Sequence, residues 1–487
     1  MKTSMIRYIF GTVLKILSLL MLLPCLVALW YKEMSGIYFL FASLLSLGCG
    51  FLLSPKRPAD TVFYLKDGCI ATAGSWILMS LFGCLPFLFS GEIPSFTDAL
   101  FETISGFTTT GASILTDIEA LSNCMLFWRS FTHWIGGMGV LVFLLAIIPM
   151  SGGSHINLMR AESSGPSVGK LVPKLHLTAK LLYSIYLGMS LLLLICLLLA
   201  QMPFFEAINV TMATAGTGGF SIRNDSCMSY SPTVCWIITI FMILFSVNFN
   251  AYYLILFREF RKAFSMEEVR MFFFIILTSG LIIFFNILDH TQTAFDALTH
   301  AFFQVATIIS TTGFATMDFD QWNQTAKIVL VFITFCGGCA GSTGGGIKVS
   351  RLVIALKTIV KELSSYIYPH NVRKIKMDGK PLGHEVVRSV NVYFITFTML
   401  FCVSLFIISF ENKDMVTNFT SVATIINNVG PGLALVGPTQ NFGHFTDLSK
   451  FVLMFDMLAG RLELFPLLTL FHPLVWREAG KKIYKKM

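Results

Sequence analysis

The chain has 487 residues, of which 55% are hydrophobic and only 13% are charged, and its formal net charge is +8. Its mean hydropathy is +0.73. Soluble globular domains carry about 25% charged residues, and disordered chains are poor in apolar ones, so the composition excludes both classes. It predicts an all-α polytopic membrane protein, because a helix satisfies its own backbone hydrogen bonds in lipid.

Ten apolar stretches follow one another along the chain, and each approaches the roughly 20 residues that a helix needs to cross a bilayer. They lie at about residues 8–30, 35–54, 68–90, 124–150, 181–200, 233–257, 271–288, 326–357, 390–410 and 449–473. The first follows Lys2 and Arg7, as in a signal peptide, but it is longer than a signal sequence and contains Lys15. We therefore expect a retained first span.

Four short segments rich in Thr and Ser, each running into a glycine, lie between pairs of these stretches. They read ETISGFTTTGAS (102–113), NVTMATAGTGGFS (209–221), QVATIISTTGFAT (304–316) and SVATIINNVGPGL (421–433). When Gly111, Gly219, Gly313 and Gly430 are aligned, the third and fourth segments share Val-Ala-Thr-Ile-Ile. The glycines are about 100 residues apart, which indicates one unit used four times.

These segments are too short to cross the membrane, and their composition is typical of an ion filter. Non-helical backbone is tolerated at membrane depth where it lines a wet cavity, and glycine lets successive carbonyls face one axis. The C-terminal end of each preceding helix favours a cation. The alternative is four ordinary Gly/Thr-rich turns, but their common register favours a pore.

The predicted architecture is therefore four pseudo-symmetric repeats of span, pore loop and span around a central pore, plus two leading transmembrane helices. The predicted divisions are 1–60 for the leading helices, 61–160, 161–265 and 266–362 for the first three repeats, and 363–487 for a cytoplasmic connection, the fourth repeat and a basic tail. Only one span, the second of the third repeat, is expected to break.

The charges are distributed unevenly along the chain. Most of the 35 Lys and Arg lie at the N-terminus, in connections around 55–66, 151–180, 258–270 and 348–388, and in the tail. Because basic loops stay on the cytoplasmic side, both termini are predicted to be cytoplasmic. Acids such as Asp117, Glu206 and Asp318 flank the short segments, which predicts an acidic outer vestibule. Topology and lipid headgroups account for the positive charge without nucleic acid.

A glycine-rich stretch interrupts the second span of the third repeat. Each glycine costs about 1 kcal/mol relative to Ala inside a helix, so two helices joined by a flexible, pore-gating loop are predicted. The gate glycines are Gly337, Gly338, Gly341, Gly344, Gly345 and Gly346. A tight helix-packing face is the alternative. A phosphate-binding loop is not predicted, because the Gly-Lys-Ser/Thr ending is absent.

Arg461 is the second candidate for the gate, because a charge inside a span is expensive and therefore a functional suspect. Its cation would oppose a resting ion and could pair with carbonyls of the glycine-rich stretch. The alternative is a buried pair with Asp456 or Glu463. Arg129 and His133 are interpreted as interfacial or packing residues.

The eleven cysteines are scattered along the chain. Cys336 and Cys339 form a C-x-x-C without a second pair or a nearby His, so no metal site is predicted. Cys227 and Cys235 flank an outward loop, and pairing between them stays open. Since no cluster of His, Asp and Glu at membrane depth suits catalysis, the chain is predicted not to be an enzyme.

Several strings resemble the superfamily of potassium transporters that includes TrkH and KtrB, and the two leading spans resemble the TrkH branch. The strings are TTTGA (108–112), WIGGMGV (134–140), GGFS (218–221), STTGFA (310–315), GGCAGSTGGGIKV (337–349), NNVGPGL (427–433) and GRLELFPLL (460–468). The resemblance implies potassium uptake in the bacterial inner membrane by a homodimer that binds cytosolic nucleotide-binding regulatory subunits of the TrkA type. It implies no cofactor, with potassium as the transported ion.

The same resemblance assigns potassium coordination to Thr109, Thr110, Gly111, Thr217, Gly218, Gly219, Thr311, Thr312, Gly313, Asn428, Val429 and Gly430. The segments are not equivalent, because Gly218 and Val429 stand where the first and third segments have Thr. A secondary transporter of another cation or small solute is the alternative function, although such folds usually show two inverted halves. Channel-like conduction, sodium symport and proton symport all stay open.

Overall fold

The structure, a computed structural model, describes residues 3–56, 58, 64–139, 175–369 and 374–475. Its leading helices are α1 (Thr3–Leu20), α2 (Leu22–Tyr31) and α3 (Gly36–Leu53). The predicted basic connection up to residue 174, the end of the span predicted at 124–150 and the basic tail from 476 lie outside the described residues.

The helices fall into four groups that follow the predicted repeats. The first group contains α4 (Leu65–Gly83), α5 (Leu85–Ser90), α6 (Phe96–Phe107) and α7 (Asn123–Gly137). The second contains α8 (Leu175–Leu199), α9 (Phe204–Gly216), α10 (Pro232–Ser246), α11 (Phe249–Leu256) and α12 (Phe260–Ser265). The third contains α13 (Glu267–Ile287), α14 (Ala294–Ile309), α15 (Gln324–Thr334) and α16 (Val349–Ile367).

A small hairpin leads to the fourth group. Strand β1 (Lys376–Met377) pairs antiparallel with β2 (Lys380–Pro381). The group then contains α17 (His384–Ile408), α18 (Met415–Ile426), α19 (Asp447–Arg461) and α20 (Phe465–Phe471). Short 3₁₀ helices lie at Leu288–His290, Phe319–Gln321, Ser409–Glu411 and Ala434–Val436.

In the described part of the chain, six helices are long and apolar enough to cross a membrane, or seven if one bent pair counts as a span. The six are Ser4–Tyr31, Gly36–Leu53, Leu65–Ser90, Lys180–Leu199, Glu267–His290 and His384–Glu411. They coincide with six of the ten predicted stretches. The protein is therefore a mostly helical, multi-span membrane protein, as its composition predicts.

The expectation of a single broken span is wrong. The third repeat breaks as predicted, with the non-helical residues 335–348, the glycine loop, between α15 and α16. The second repeat also breaks, with a 92° bend between α10 and α11 where Asn248 caps the new helix. The fourth breaks between α19 and α20, where Glu463 and Leu464 take positive φ angles and Pro466 begins a new helix.

Four short helices, α6, α9, α14 and α18, lie between the longer ones and have 12 to 16 residues. At 1.5 Å per residue they reach roughly halfway across the hydrocarbon core. Ser95, Thr293 and Asp414 cap the N-termini of three of them through side-chain oxygens. Hydrogen bonds from the hydroxyl and amide of Thr417 lower the pKa of the Asp414 carboxyl.

Candidate ion filter and gate

The four short helices all end in the same way. The residue that leaves each helix is left-handed and donates its N–H three residues back, while the next residue donates five residues back. The pairs are Thr109 to Gly106 and Thr110 to Ser105, Thr217 to Thr214 and Gly218 to Ala213, Thr311 to Ile308 and Thr312 to Thr307, and Asn428 to Ile425 and Val429 to Thr424. This is the Schellman pattern of a helix C-terminus. The register read from the sequence is therefore a structural repeat.

Positive φ angles alternate through the four segments 108–113, 216–221, 310–315 and 427–432, which we call the filter segments. The left-handed residues Thr109, Thr217, Thr311 and Asn428 have φ of 54° to 59°, and the glycines two positions later have φ of 75° to 95°. A β-branched residue rarely takes a positive φ. Three such threonines in one site mark a strained backbone that the surroundings hold in place.

The filter segments form a closed ring in chain order. A Cβ built on Gly430 would lie 2.6 Å from the carbonyl oxygen of Thr110, and Cβ atoms on the other three glycines would lie even closer to the next segment. Gly111 faces the carbonyl of Gly218, Gly219 that of Thr312, and Gly313 that of Val429. The four aligned residues thus each place a carbonyl against the glycine of the preceding segment.

The side chains behind this ring hold the segments to the wall and to each other. The hydroxyls of Thr108 and Thr110 are 2.8 Å apart, and those of Ser310 and Thr312 are 2.7 Å apart. Asn428 donates from Nδ2 to the Thr110 hydroxyl at 2.9 Å and so ties the fourth segment to the first. Within the described residues, Thr109 Oγ1 and Asn428 Oδ1 are buried and have no hydrogen-bond partner.

A cavity of about 190 Å³ opens against the ring, and Gly111, Gly219 and Gly313 line it. Its other lining residues come from the loops after the segments, and its charged lining residues are Arg129 and Arg223. The predicted acidic vestibule is therefore wrong for these walls. The acids bond elsewhere, because Glu206 pairs with Arg223 at 2.7 Å and Asp117 accepts from Asn224 at 2.8 Å.

Arg129 and Glu102 form a buried ion pair at 2.8 Å that the sequence interpretation missed. Arg129 also donates to the Ser221 carbonyl at 3.0 Å, and Glu102 accepts from the Ser113 hydroxyl at 3.0 Å. The pair therefore joins the ends of the first and second filter segments. The acidic residue within an otherwise apolar pore helix was a usable signal.

The glycine loop lies directly against the side of the filter away from the cavity. Gly345 donates its N–H to the Thr311 hydroxyl at 2.6 Å. A Cβ on Gly344 would lie 3.1 Å from the Ser310 carbonyl oxygen, and one on Gly345 would lie 2.9 Å from that of Asn427. The loop carbonyls of Gly344 and Gly345 accept from the buried ammonium of Lys348. Glycine is required here because the loop and the filter backbone approach closely.

Glu268 holds the outer ends of the glycine loop, and sequence reasoning missed this residue too. Its carboxylate accepts from the N–H groups of Ala340 and Ser350 at 2.6 and 3.1 Å. It also accepts from Asn248 Nδ2 at 3.2 Å, at the bend of the second repeat. One buried carboxylate on α13 thus joins two broken helices.

Arg461 ends α19 beneath the filter and contacts two repeats. It donates to the Thr343 carbonyl of the glycine loop at 2.8 Å and to the Gly137 carbonyl at the end of α7 at 2.7 Å. Its two named alternatives have other partners, because Asp456 accepts from Ser404 at 2.9 Å and Glu463 pairs with Arg351. The contact with loop carbonyls is the one that the gate interpretation expects.

Neither cysteine pair carries a special site in the structure. Cys227 and Cys235 are both buried free thiols, and Cys336 and Cys339 are free as well. Within the described ranges, no group of three or more His, Cys, Asp and Glu residues could hold a metal ion.

The family model for the cation transport protein TrkH matches residues 38–477. The chain belongs to the TrkH family. A TrkH-family relative from Salmonella typhimurium, the Trk system potassium uptake protein TrkH, is 36% identical over 485 residues, which cover 97% of this chain and 99% of the relative. The Trk system potassium uptake protein TrkG of Escherichia coli is 31% identical over 98% of this chain and all of the relative.

Solved TrkH structures agree with this assignment. The crystal structure of the potassium transporter TrkH from Vibrio parahaemolyticus superposes with a TM-score of 0.88 and 33% identity, covering 98% of this chain and 100% of that chain. The likeness spans all four repeats and the leading helices. Membership of the TrkH branch is confirmed, and the chain is a multi-span protein of a bacterial transporter family rather than an enzyme.

Proposed function

We propose that the chain takes up potassium across the bacterial cytoplasmic membrane through the ring of four filter segments. The relatives are named potassium uptake proteins, which supports the ion. The closed ring, in which each glycine backs onto a carbonyl of the next segment, carries the proposal. Carbonyl rings replace the water shell of potassium in selective pores.

The chemistry of the site favours a cation along the whole path. Each short helix directs its C-terminal, partly negative end toward the ring. The two buried and unpartnered oxygens, Thr109 Oγ1 and Asn428 Oδ1, are further ligands for an ion that has lost water. The coordinating residues are the twelve predicted from the sequence, three from each segment.

The glycine loop and Arg461 form the gate in this proposal. The loop lies against Ser310, Thr311 and Asn427, where it blocks the exit from the ring. Arg461 fixes the loop through the Thr343 carbonyl. Movement of the loop away from the filter would open the path toward the cytoplasm. The predicted homodimer, the TrkA-type subunits and the cytoplasmic termini complete the proposal on the basis of the resemblance.

Rubidium uptake into liposomes that hold the purified chain tests the filter. Potassium should compete strongly with rubidium, while sodium and lithium should compete weakly, because a carbonyl ring discriminates by ion dehydration. Empty liposomes are the control. Equal competition by all three ions would contradict a potassium filter and favour the alternative, a carrier of another cation. Imposed sodium and proton gradients separate symport from channel-like conduction.

A further inference from the structure

The second filter segment lacks the side chains that support the others. Thr108 pairs with Thr110 in the first segment, and Ser310 pairs with Thr312 in the third. The corresponding residues of the second segment are Gly216 and Gly218. Two hydroxyl groups that hold the strained backbone elsewhere are therefore missing here, although Thr217 and Gly219 have the same positive φ angles.

His133 of α7 fills the space that these glycines leave. A Cβ built on Gly218 would lie 2.5 Å from Cδ2 of His133, and closer still to Cγ and Nδ1. A Cβ on Gly216 would overlap the backbone carbonyl of His133. The imidazole is fully buried and packs on the ring of Phe220, with a centroid distance of 4.3 Å. Neither glycine could carry a side chain while His133 is present.

The two ring nitrogens join the first and second repeats. Nε2 accepts from the Phe220 N–H at 3.1 Å, directly after Gly219. Nδ1 lies 2.7 Å from the Gly106 carbonyl at the end of α6. Because one partner is a donor and the other an acceptor, the contacts assign the proton to Nδ1 and the lone pair to Nε2. The neutral ring thus holds one filter segment through a bond to its backbone.

We propose that His133 is a positioning residue of the filter, which replaces the missing hydroxyl pair of the second segment and fixes the carbonyl of Gly218. This inference rests on the proposed function, since it assigns a role within the potassium filter. The ring does not contact the ion in this proposal. It acts through Phe220 and Gly218.

Four variants test the proposal by rubidium uptake with potassium or sodium as competitor. His133→Ala should lower the preference for potassium over sodium about fivefold, the effect of losing one net hydrogen bond. His133→Gln should keep most of it, because its amide oxygen reaches the position of Nε2 and accepts from Phe220. Gly218→Val should abolish uptake, because the imidazole occupies the space. The fourth segment has Val429 at this position, so His133→Ala combined with Gly218→Val should restore uptake above Gly218→Val alone.

The exposed His444 supplies a matched control, and His444→Ala should behave as the wild type. Wild-type selectivity in His133→Ala, or normal uptake by Gly218→Val, would overturn the proposal. If Gly218→Val does not fold, recovery of folded double variant supports the proposal. If neither folds, the comparison of His133→Ala with His133→Gln decides. A wild type that does not prefer potassium would refute the proposed function itself, which is a distinct result.

Discussion

Three threonines and an asparagine hold the left-handed conformation at the start of the filter segments. A left-handed residue with a side chain costs roughly 1–2 kcal/mol relative to glycine, which would be the cheaper choice. The hydroxyl groups explain why threonine is kept at two of the positions. Thr311 accepts from Gly345 of the glycine loop, and Thr217 donates to the Gly216 carbonyl at 2.6 Å. Local strain is therefore exchanged for contacts that position the ring.

Replacing Gly313 by Ser should impair ion selection more than folding. The new Cβ would lie 2.9 Å from Cδ of Pro431 and closer still to the Val429 carbonyl oxygen, so this carbonyl must turn away from the ring. We expect the preference for potassium over sodium, measured by rubidium uptake, to fall roughly tenfold, the equivalent of about 1.4 kcal/mol.

Gly91→Ser is the matched control for this change. Gly91 has a φ of 75° and open space around a built Cβ, so the substitution brings backbone strain without a clash. It should leave selectivity unchanged. An equal loss in both variants would mean that backbone strain, and not the displaced carbonyl, causes the effect.

The register of the filter could be predicted from the sequence, because Thr and Gly recur at fixed offsets in all four segments. The residues that support the filter could not. His133 bonds to Phe220 across 87 positions, and Arg129 bonds to Ser221 across 92. Such contacts depend on how neighbouring repeats pack, which the local pattern does not contain.

The second helix of the second, third and fourth repeats is interrupted, at 247–248, 335–348 and 462–464. Only the glycine-rich break was predictable from composition, since six glycines cannot propagate a helix. The other two lie within continuous apolar stretches. Asn248 and Pro466 are the local signals, because Asn caps helices and Pro starts them. A charge-free hydropathy pattern does not report a bend.

Glu268 should be the joint that holds two of these interruptions together. Gln at this position keeps one acceptor oxygen but presents an NH₂ group where the second oxygen was, so one of the three donors loses its partner. Leaving a buried polar group unpaired costs about 1–3 kcal/mol. We expect Glu268→Gln to lower the free energy of unfolding by that amount in thermal denaturation of the detergent-solubilised chain.

Glu267→Gln is the control, as it makes the same chemical change one residue earlier. Glu267 forms a partly exposed pair with Lys357, and such pairs contribute about 0–1 kcal/mol. An equal shift of the unfolding transition in both variants would show that Glu268 has no special role at the joint.

The four repeats make one ring, but different contacts connect them. His133 and the pair of Arg129 and Glu102 join the first repeat to the second. Asn428 joins the fourth to the first through Thr110. The third segment instead contacts the glycine loop through Thr311. An approximate fourfold filter therefore has one side that is connected to the gate, which a symmetric ring would not provide.

Arg461 links the remaining sides, because it reaches from α19 of the fourth repeat to α7 of the first and to the glycine loop of the third. Replacing it by Ala removes these contacts and the cation beneath the filter. If it stabilises the closed loop, rubidium uptake should rise roughly tenfold, as expected when a barrier falls by about 1.4 kcal/mol. Arg461→Lys separates charge from contact, since the shorter ammonium keeps the charge but lacks the fork that reaches two repeats. Intermediate uptake in the Lys variant would assign both effects. Unchanged or lower uptake in the Ala variant, with normal amounts of folded protein, would mean that Arg461 supports the fold and does not close the path.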